Sequence, residues 1–468
     1  DKPLNADTAK KKTNVFQNEF GDEKVDSNQI AKIAAASGTK NDVLQKAKLY
    51  EYKPVKFYAD YVGASLNNNL LINRYQPYAG GSGPINLGST TVINGLIKLG
   101  TSELMEDVKI TGAFRISSNL KDNEWLMSYQ NYKRRFDWGA TYYRNVIEAE
   151  AQINTSYAGP ARIYTNLYQG NVAYPFDNSK RLALTFGVRS DKSVLLTDLN
   201  NPQSLKAPDL KKLYATTHLE YVYDNTLNPT QNIWNGLRYK IYGDWNTDIS
   251  KEKDNNGKYN FNFGADARYY YPIYRNFIWA GRAAADFSWG NQKTIYYLGG
   301  VDSWMMFGSN TKSDGSDRYF NTHNPPDRNV DYAFQSLSEN VRGFIQNIAN
   351  GNNAIVLNSE FRLPVFTTLF NRPINNAFLR NFEVTQFTDL GTAWSGGLKG
   401  IGRPSIIYGL PPVQIEKKAG GIGPFAGGYG FGARSTLLGY FLKLDVAWQM
   451  NGFFKGKPIY YLSMGLDF

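Results

Sequence analysis

Cysteine is absent from the 468 residues, and histidine occurs only at His218 and His323. A disulfide framework and any thiolate metal site are therefore excluded, and imidazole chemistry has almost nothing to work with. The chain also has no stretch of about 18 uncharged apolar residues, which with a mean hydropathy of −0.46 excludes a membrane protein built of helices. Charge of one sign is not concentrated: 52 Lys plus Arg face 41 Asp plus Glu, and the +11 excess is spread among acids along the whole chain. That distribution weighs against nucleic acid and leaves an anionic membrane surface as an equally good partner. An apolar leader is missing, since Asp1-Lys2-Pro3 runs into polar residues. The sequence therefore reads as cytosolic, or as a mature or truncated form of an exported protein.

What the chain has in excess is aromatic: 33 Tyr, 27 Phe and 9 Trp, 15% of all residues. So many rings argue against disorder over most of the length. Residues 1–53 are the exception, with the run Lys10-Lys11-Lys12, many Asp and Asn, and one modest helical stretch beginning at Gln29. They read as a linker or disordered tail, and 54–468 as a single large β structure. From Pro54 onward apolar and polar residues alternate in segments of about ten residues separated by Gly, Asn, Asp, Ser and Pro. Val108, Ile110, Phe114 and Ile116 alternate with Lys109, Thr111 and Arg115; Leu442, Leu444, Val446 and Trp448 alternate with Lys443, Asp445 and Gln449. Sixteen such strands are expected, at 54–63, 89–99, 107–117, 123–133, 135–145, 160–171, 181–190, 211–224, 237–248, 258–271, 276–289, 353–364, 382–394, 425–435, 440–450 and 459–468.

Strands of about 9–11 residues suit a tilted membrane crossing, whereas soluble sandwich strands average about five or six. The same alternation fits a soluble sandwich, with the apolar face inward, or an outer-membrane barrel, with the apolar face toward lipid and charges in a wet lumen. Aromatics at strand ends decide for the barrel: Tyr142-Tyr143, Tyr269-Tyr270-Tyr271, Trp289, Trp394, Trp448 and Tyr460-Tyr461 sit where an interfacial girdle is expected. On the last strand Tyr460, Leu462, Met464, Leu466 and Phe468 share one face, and an aromatic final residue resembles the signal that marks such barrels for insertion. The fold class expected is an all-β, 16-stranded antiparallel transmembrane barrel in the outer membrane of a Gram-negative cell.

The longest inter-strand segment, after the eleventh strand, contains Val341-Arg342-Gly343-Phe344. Upstream stand Gly299 and Gly300; downstream come Glu360 on the twelfth strand, Phe387, Asp389 and Gly391 on the thirteenth, and a Gly-rich fourteenth. In this order the segments resemble the BamA and TamA superfamily of outer-membrane assembly and translocation barrels, specifically over 290–468 and in architecture alone over 54–289. Glu360 shares parity with Asn358 and Arg362, so its carboxylate is expected in the lumen. The resemblance implies that the loop folds inward and that the Arg342 fork engages Glu360 and Asp389. It further implies protein insertion or translocation through a lateral seam between the first and last strands, with client or partner envelope proteins and lipids, including anionic lipopolysaccharide, as partners. Two departures stand out. Residues 1–53 are too short for one POTRA repeat, and about 40 polar residues separate Gly300 from Val341, similar to barrels fused to a TolB-like propeller.

Other chemistry finds little support. His218 shares parity with Tyr214, Thr216 and Glu220 and reads as a wall residue, and His323 has no nucleophile pattern beside it. The Gly-rich runs at 395–397 and 420–423 match no phosphate loop. No enzyme activity, cofactor, metal or nucleic acid is expected. The lumen charges Arg115, Arg135, Asp137, Arg238, Lys240, Asp244, Asp266, Arg268, Arg282 and Asp286 are mixed in sign, which fits a filled barrel better than an ion-selective pore. A scaffold barrel of a larger complex and a passive pore or secretion channel remain as alternative functions.

Overall fold

The computed structural model describes residues 57–468 apart from 67–74, 79, 81–82, 84–93, 118–119, 121, 155–156, 198–207, 252–256 and 409–414. The 1–53 segment and the start of the first predicted strand at 54–56 lie outside the described residues. Sixteen strands make the wall. They are β1 (Phe57–Leu66), β2 (Asn94–Glu103), β3 (Val108–Ser117), β4 (Asn123–Asn131), β5 (Asp137–Asn154), β6 (Tyr157–Pro175), β7 (Lys180–Leu195) and β8 (Leu210–Asp224). They continue as β9 (Ile233–Asp248), β10 (Tyr259–Tyr274), β11 (Phe277–Gly290), β12 (Asn353–Pro364), β13 (Glu383–Trp394), β14 (Phe425–Leu437), β15 (Tyr440–Gln449) and β16 (Ile459–Met464). Each pairs antiparallel with the next in an unbroken ladder from β1 to β16.

The two-residue period separates two environments. On β10, Phe261, Phe263, Tyr269 and Tyr271 face outward and are exposed, while Asn260, Asn262 and Asp266 between them are buried inside. Several strands outrun their predicted limits, β5, β6 and β7 the furthest, with 18, 19 and 16 residues. About ten residues cross the bilayer. The remainder keeps its hydrogen-bonded ladder where no lipid enforces the alternation, so the pattern ends before the strand does.

The aromatic girdle needs correction. Tyr269, Tyr271, Trp289 and Tyr460 point outward, but Tyr143, Tyr270 and Tyr461 are buried on the inner side, and Trp394, on the outer row of its strand beside Phe287, is covered by the loop that follows it. Consecutive strand residues project to opposite faces, so a run of tyrosines cannot all meet the interface. Arg135 is likewise not a lumen charge: it lies exposed at the β4–β5 turn, donating to the Phe176 carbonyl at 2.9 Å and covering the Tyr174 ring. The last strand also ends early. Gly465 takes a φ of +109°, the chain leaves the sheet, and Phe468 turns inward to 9% exposure instead of joining exposed Tyr460 and Leu466 on the outer face.

The two rims differ. Turns at 104–107, 132–136, 176–179, 225–232, 275–276 and 438–439 are short, with 365–382 the longest; the opposite rim carries 67–93, 196–209, 291–352 and 395–424. Outer-membrane barrels keep short turns toward the periplasm and long loops outside, which sets the direction of this one.

Candidate functional site

Segment 291–352 folds into the barrel. Its Lys293–Leu298 and Tyr332–Leu337 stretches, rich in Tyr, Ile, Thr and Phe, suit paired extended backbone and are almost wholly buried. They pair in parallel; Ala349–Gly351 adds to one side and Gln76–Pro77 to the other. The last pair comes from the loop between β1 and β2, so two loops build one plug. Tyr75 sets that strap in place. Its backbone oxygen accepts from Arg189 of β7 at 2.9 Å, and its hydroxyl donates to Asp244 of β9 at 2.9 Å. Tyr75→Phe keeps the ring and loses the second bond, so a loss of about 1 kcal/mol is expected in a denaturant titration of the detergent-solubilised barrel. An unchanged midpoint would count against the strap.

The plug tip is built by a glycine pair. Gly299 and Gly300 take φ values of +104° and +82°, and a side chain on Gly299 would run into the Ile345 carbonyl. The turn brings Val341 N–H onto the Gly300 carbonyl at 3.2 Å and Gly300 N–H onto the Phe344 carbonyl at 3.0 Å. Val341 and Phe344 then pack with Tyr296, Leu298, Ile348, Val356 and Ala426 in a dry cluster between plug and wall.

Arg342 projects from this tip. Its Nε donates to Asp389 Oδ2 at 2.6 Å, and its Nη2 donates to Glu360 Oε1 at 2.6 Å and Asp389 Oδ1 at 2.9 Å. The Arg342 backbone N–H adds a bond to Asp389 Oδ2 at 3.0 Å, and the guanidinium lies 3.6 Å from the Phe387 ring centroid. Burial works against its charge, but Asp389 and Glu360 outweigh that and raise its pKa well above the ordinary arginine value. Asn358 bridges the same carboxylate to the loop, donating from Nδ2 to Asp389 Oδ1 at 2.8 Å and to the Asn340 carbonyl at 2.7 Å. Gly391 leaves room for Leu298 and Val341.

Sequence reasoning missed several partners. Tyr461, assigned to the girdle, instead accepts from Gly343 N–H at 3.0 Å and donates to the Phe344 carbonyl at 2.7 Å. Asp445 stands 3.7 Å from Arg342 Nη1 and 2.7 Å from Arg434 Nη1. From Glu360 the network passes to Arg362 at 2.8 Å, whose Nη2 donates to the Phe468 carbonyl at 3.1 Å. Arg434 and Lys443 reach Asp467 at 2.9 and 3.2 Å, and Asp467 N–H donates to Asn232 Oδ1 at 2.8 Å. Burial opposes ionisation of Asp467, yet Arg434, Lys443 and Arg362 hold its carboxyl well below the usual range. Inward parity on β12, β14 and β15 was the available signal for Arg362, Arg434, Lys443 and Asp445.

The other assigned residues fall elsewhere. Tyr460, Leu462, Met464 and Leu466 lie along the outer side of β16 and its extension, away from the Arg342 cluster. His218 sits in the wall, its Nδ1 2.6 Å from Asp244 Oδ1. Among the described residues no group of three or more His, Asp or Glu is placed to hold a metal ion. What the arrangement does physically is pin a buried loop to five consecutive strands, β12 to β16, by charge, ring stacking, hydrogen bonds and close backbone packing.

No protein-family model and no curated protein matches this chain. Solved structures do resemble it. BamA from Haemophilus ducreyi lacking POTRA domains 1–3 aligns over 87% of this chain and 75% of its own, at 12% identity and a TM-score of 0.48. CdiB from Acinetobacter baumannii aligns over 80% of this chain at 11% identity and CdiB from Escherichia coli over 81% at 12%, both with a TM-score of 0.42. The chain spans 56% and 60% of those two CdiB chains. Its own strands and faces make it an all-β outer-membrane barrel.

Proposed function

We propose that this barrel belongs with the BamA-like assembly and translocation proteins, and that it inserts or translocates envelope proteins through a seam between β1 and β16. The observation that carries the reading is the shortness of β16. It keeps six residues in the wall and leaves the sheet at Gly465, while its partner β15 runs for ten. A wall strand that ends early presents backbone donors and acceptors that an extended client segment can pair with. The plug, bound to β12 through β16, disfavours a passive pore. Clients would be unfolded outer-membrane or secreted strands. Lys455 and Lys457, exposed in the β15–β16 loop next to this seam, and Lys417 and Lys418, exposed in the β13–β14 loop on the same rim, suit the phosphates of anionic outer-leaflet lipid.

The test exploits the absence of cysteine. One cysteine introduced on β1 and one on β16 lock the seam under oxidation, and assembly of an outer-membrane client is followed in reconstituted vesicles. Assembly should stop on oxidation and resume with reductant. A locked barrel that assembles its client at the same rate sinks the reading and favours a scaffold.

A further inference from the structure

The edge of β16 that faces away from β15 is already in use. Leu462 lies opposite Leu444 of β15 in the ladder, yet its carbonyl accepts a hydrogen bond from Met305 N–H at 2.8 Å. A strand carbonyl lies in the sheet plane and points to one neighbour or the other, so this one is turned to the outer edge. Trp304 and Ser463 form an antiparallel bridge at the same place. Plug residues thus continue the wall beyond β16 by a short strand-like step.

That step is held from both sides. Before it, Ser303 has a φ of +54°, a conformation that a non-glycine residue keeps only where its surroundings enforce it. Asp302 N–H is fixed on Asn340 Oδ1 at 2.7 Å, two residues before Arg342. After it, the Trp304 ring lies 4.7 Å from Tyr461 and edge-on to Tyr319 at 5.1 Å. Tyr319 closes the turn, accepting from Phe307 N–H at 2.8 Å and donating to its carbonyl at 2.8 Å. Tyr461 holds Gly343 and Phe344 as well, so the edge contact and the Arg342 tip share a side chain.

We propose that residues 303–305 act as a built-in substitute for a client strand, occupying the free edge of β16 until an incoming strand displaces them. The idea rests on the seam reading above and adds its regulation: the plug guards the edge, and a client gains access by competition. An edge left bare is a template for unwanted pairing, and covering it with the chain's own backbone removes that hazard while the protein is idle. Displacement reduces apparent client affinity by the fraction of time that the edge is free.

The experiment uses the full chain in detergent and a synthetic peptide with the sequence of residues 459–468 as the client probe. In the double variant Trp304→Cys/Ser463→Cys a disulfide fixes the guard on β16. Peptide affinity, read by fluorescence anisotropy, should fall at least tenfold on oxidation and return with reductant, which also shows that the same molecules are folded. Met305→Pro removes the donor to Leu462 and should tighten binding about fivefold over the unsubstituted chain. Equal affinity before and after oxidation overturns the guard and leaves the seam standing. A peptide that binds none of the forms removes the seam and the guard together.

Discussion

Arg342→Ala is expected to free the plug and cost on the order of 3–5 kcal/mol, because it leaves Glu360 and Asp389 buried with their main counter-charge gone. Both carboxylates are almost completely shielded, at 1% and 0% exposure, so water cannot replace the guanidinium without opening the lumen. Arg362 still faces Glu360, whereas Asp389 keeps only the Asn358 amide and the backbone N–H of residue 342, so Asp389 bears most of the loss. Arg342→Lys should recover little, since an ammonium on a flexible stem cannot span the two carboxylates as the planar fork does. Two measurements check this: the denaturant midpoint should drop, and conductance in planar bilayers should rise as the lumen clears. A variant with unaltered midpoint and conductance would mean that the dry cluster around Val341 and Phe344 holds the loop alone.

Gly428→Val should give the same open lumen without touching a charge. Gly428 on β14 lies directly under the plug tip, and any side chain there would overlap the Arg342 carbonyl, with Gly343 close behind. Backbone meets backbone at this point, so no rotamer change relieves the clash, and the loop must lift from the wall. The expected rise in conductance should match that of Arg342→Ala. Gly112→Ala on β3, where a methyl group meets nothing within 4 Å, is the control and should behave as the parent. If Gly428→Val left conductance at the parental value, the plug tip would not rest on β14.

Much of this was legible because lipid on one side of a strand enforces strict alternation on the sequence. All sixteen predicted segments became wall strands, and parity alone placed Asn358, Glu360 and Arg362 on one inner row. Pairing Arg342 with Glu360 and Asp389 needed the resemblance as well, since nothing local tells a loop arginine which wall carboxylates it will meet. The failures have local causes. Tyr461 and Tyr270 were placed by their membership of an aromatic run, which overrode their own parity. Phe468 was counted as if the strand continued, but Gly465 breaks the count. The strap at 75–78 left no trace, because two paired residues with a proline among them carry neither a period nor a strand composition. Asp445 and Arg434 were visible as inward charges, while their link to Asp467 and Asn232 spans the barrel and is written in no segment.

The position of the plug in the chain also bears on how the wall is made. Residues 291–352 precede β13, β14, β15 and β16, and their tip touches each of them in turn: Asp389, Gly428, Trp448 and Tyr461. The inner face of the final quarter of the barrel is therefore complementary to a segment that comes before it in the chain, and its polar groups find their partners there. A barrel of this kind is shaped to its contents, the last four strands being fitted to the filling as closely as to one another.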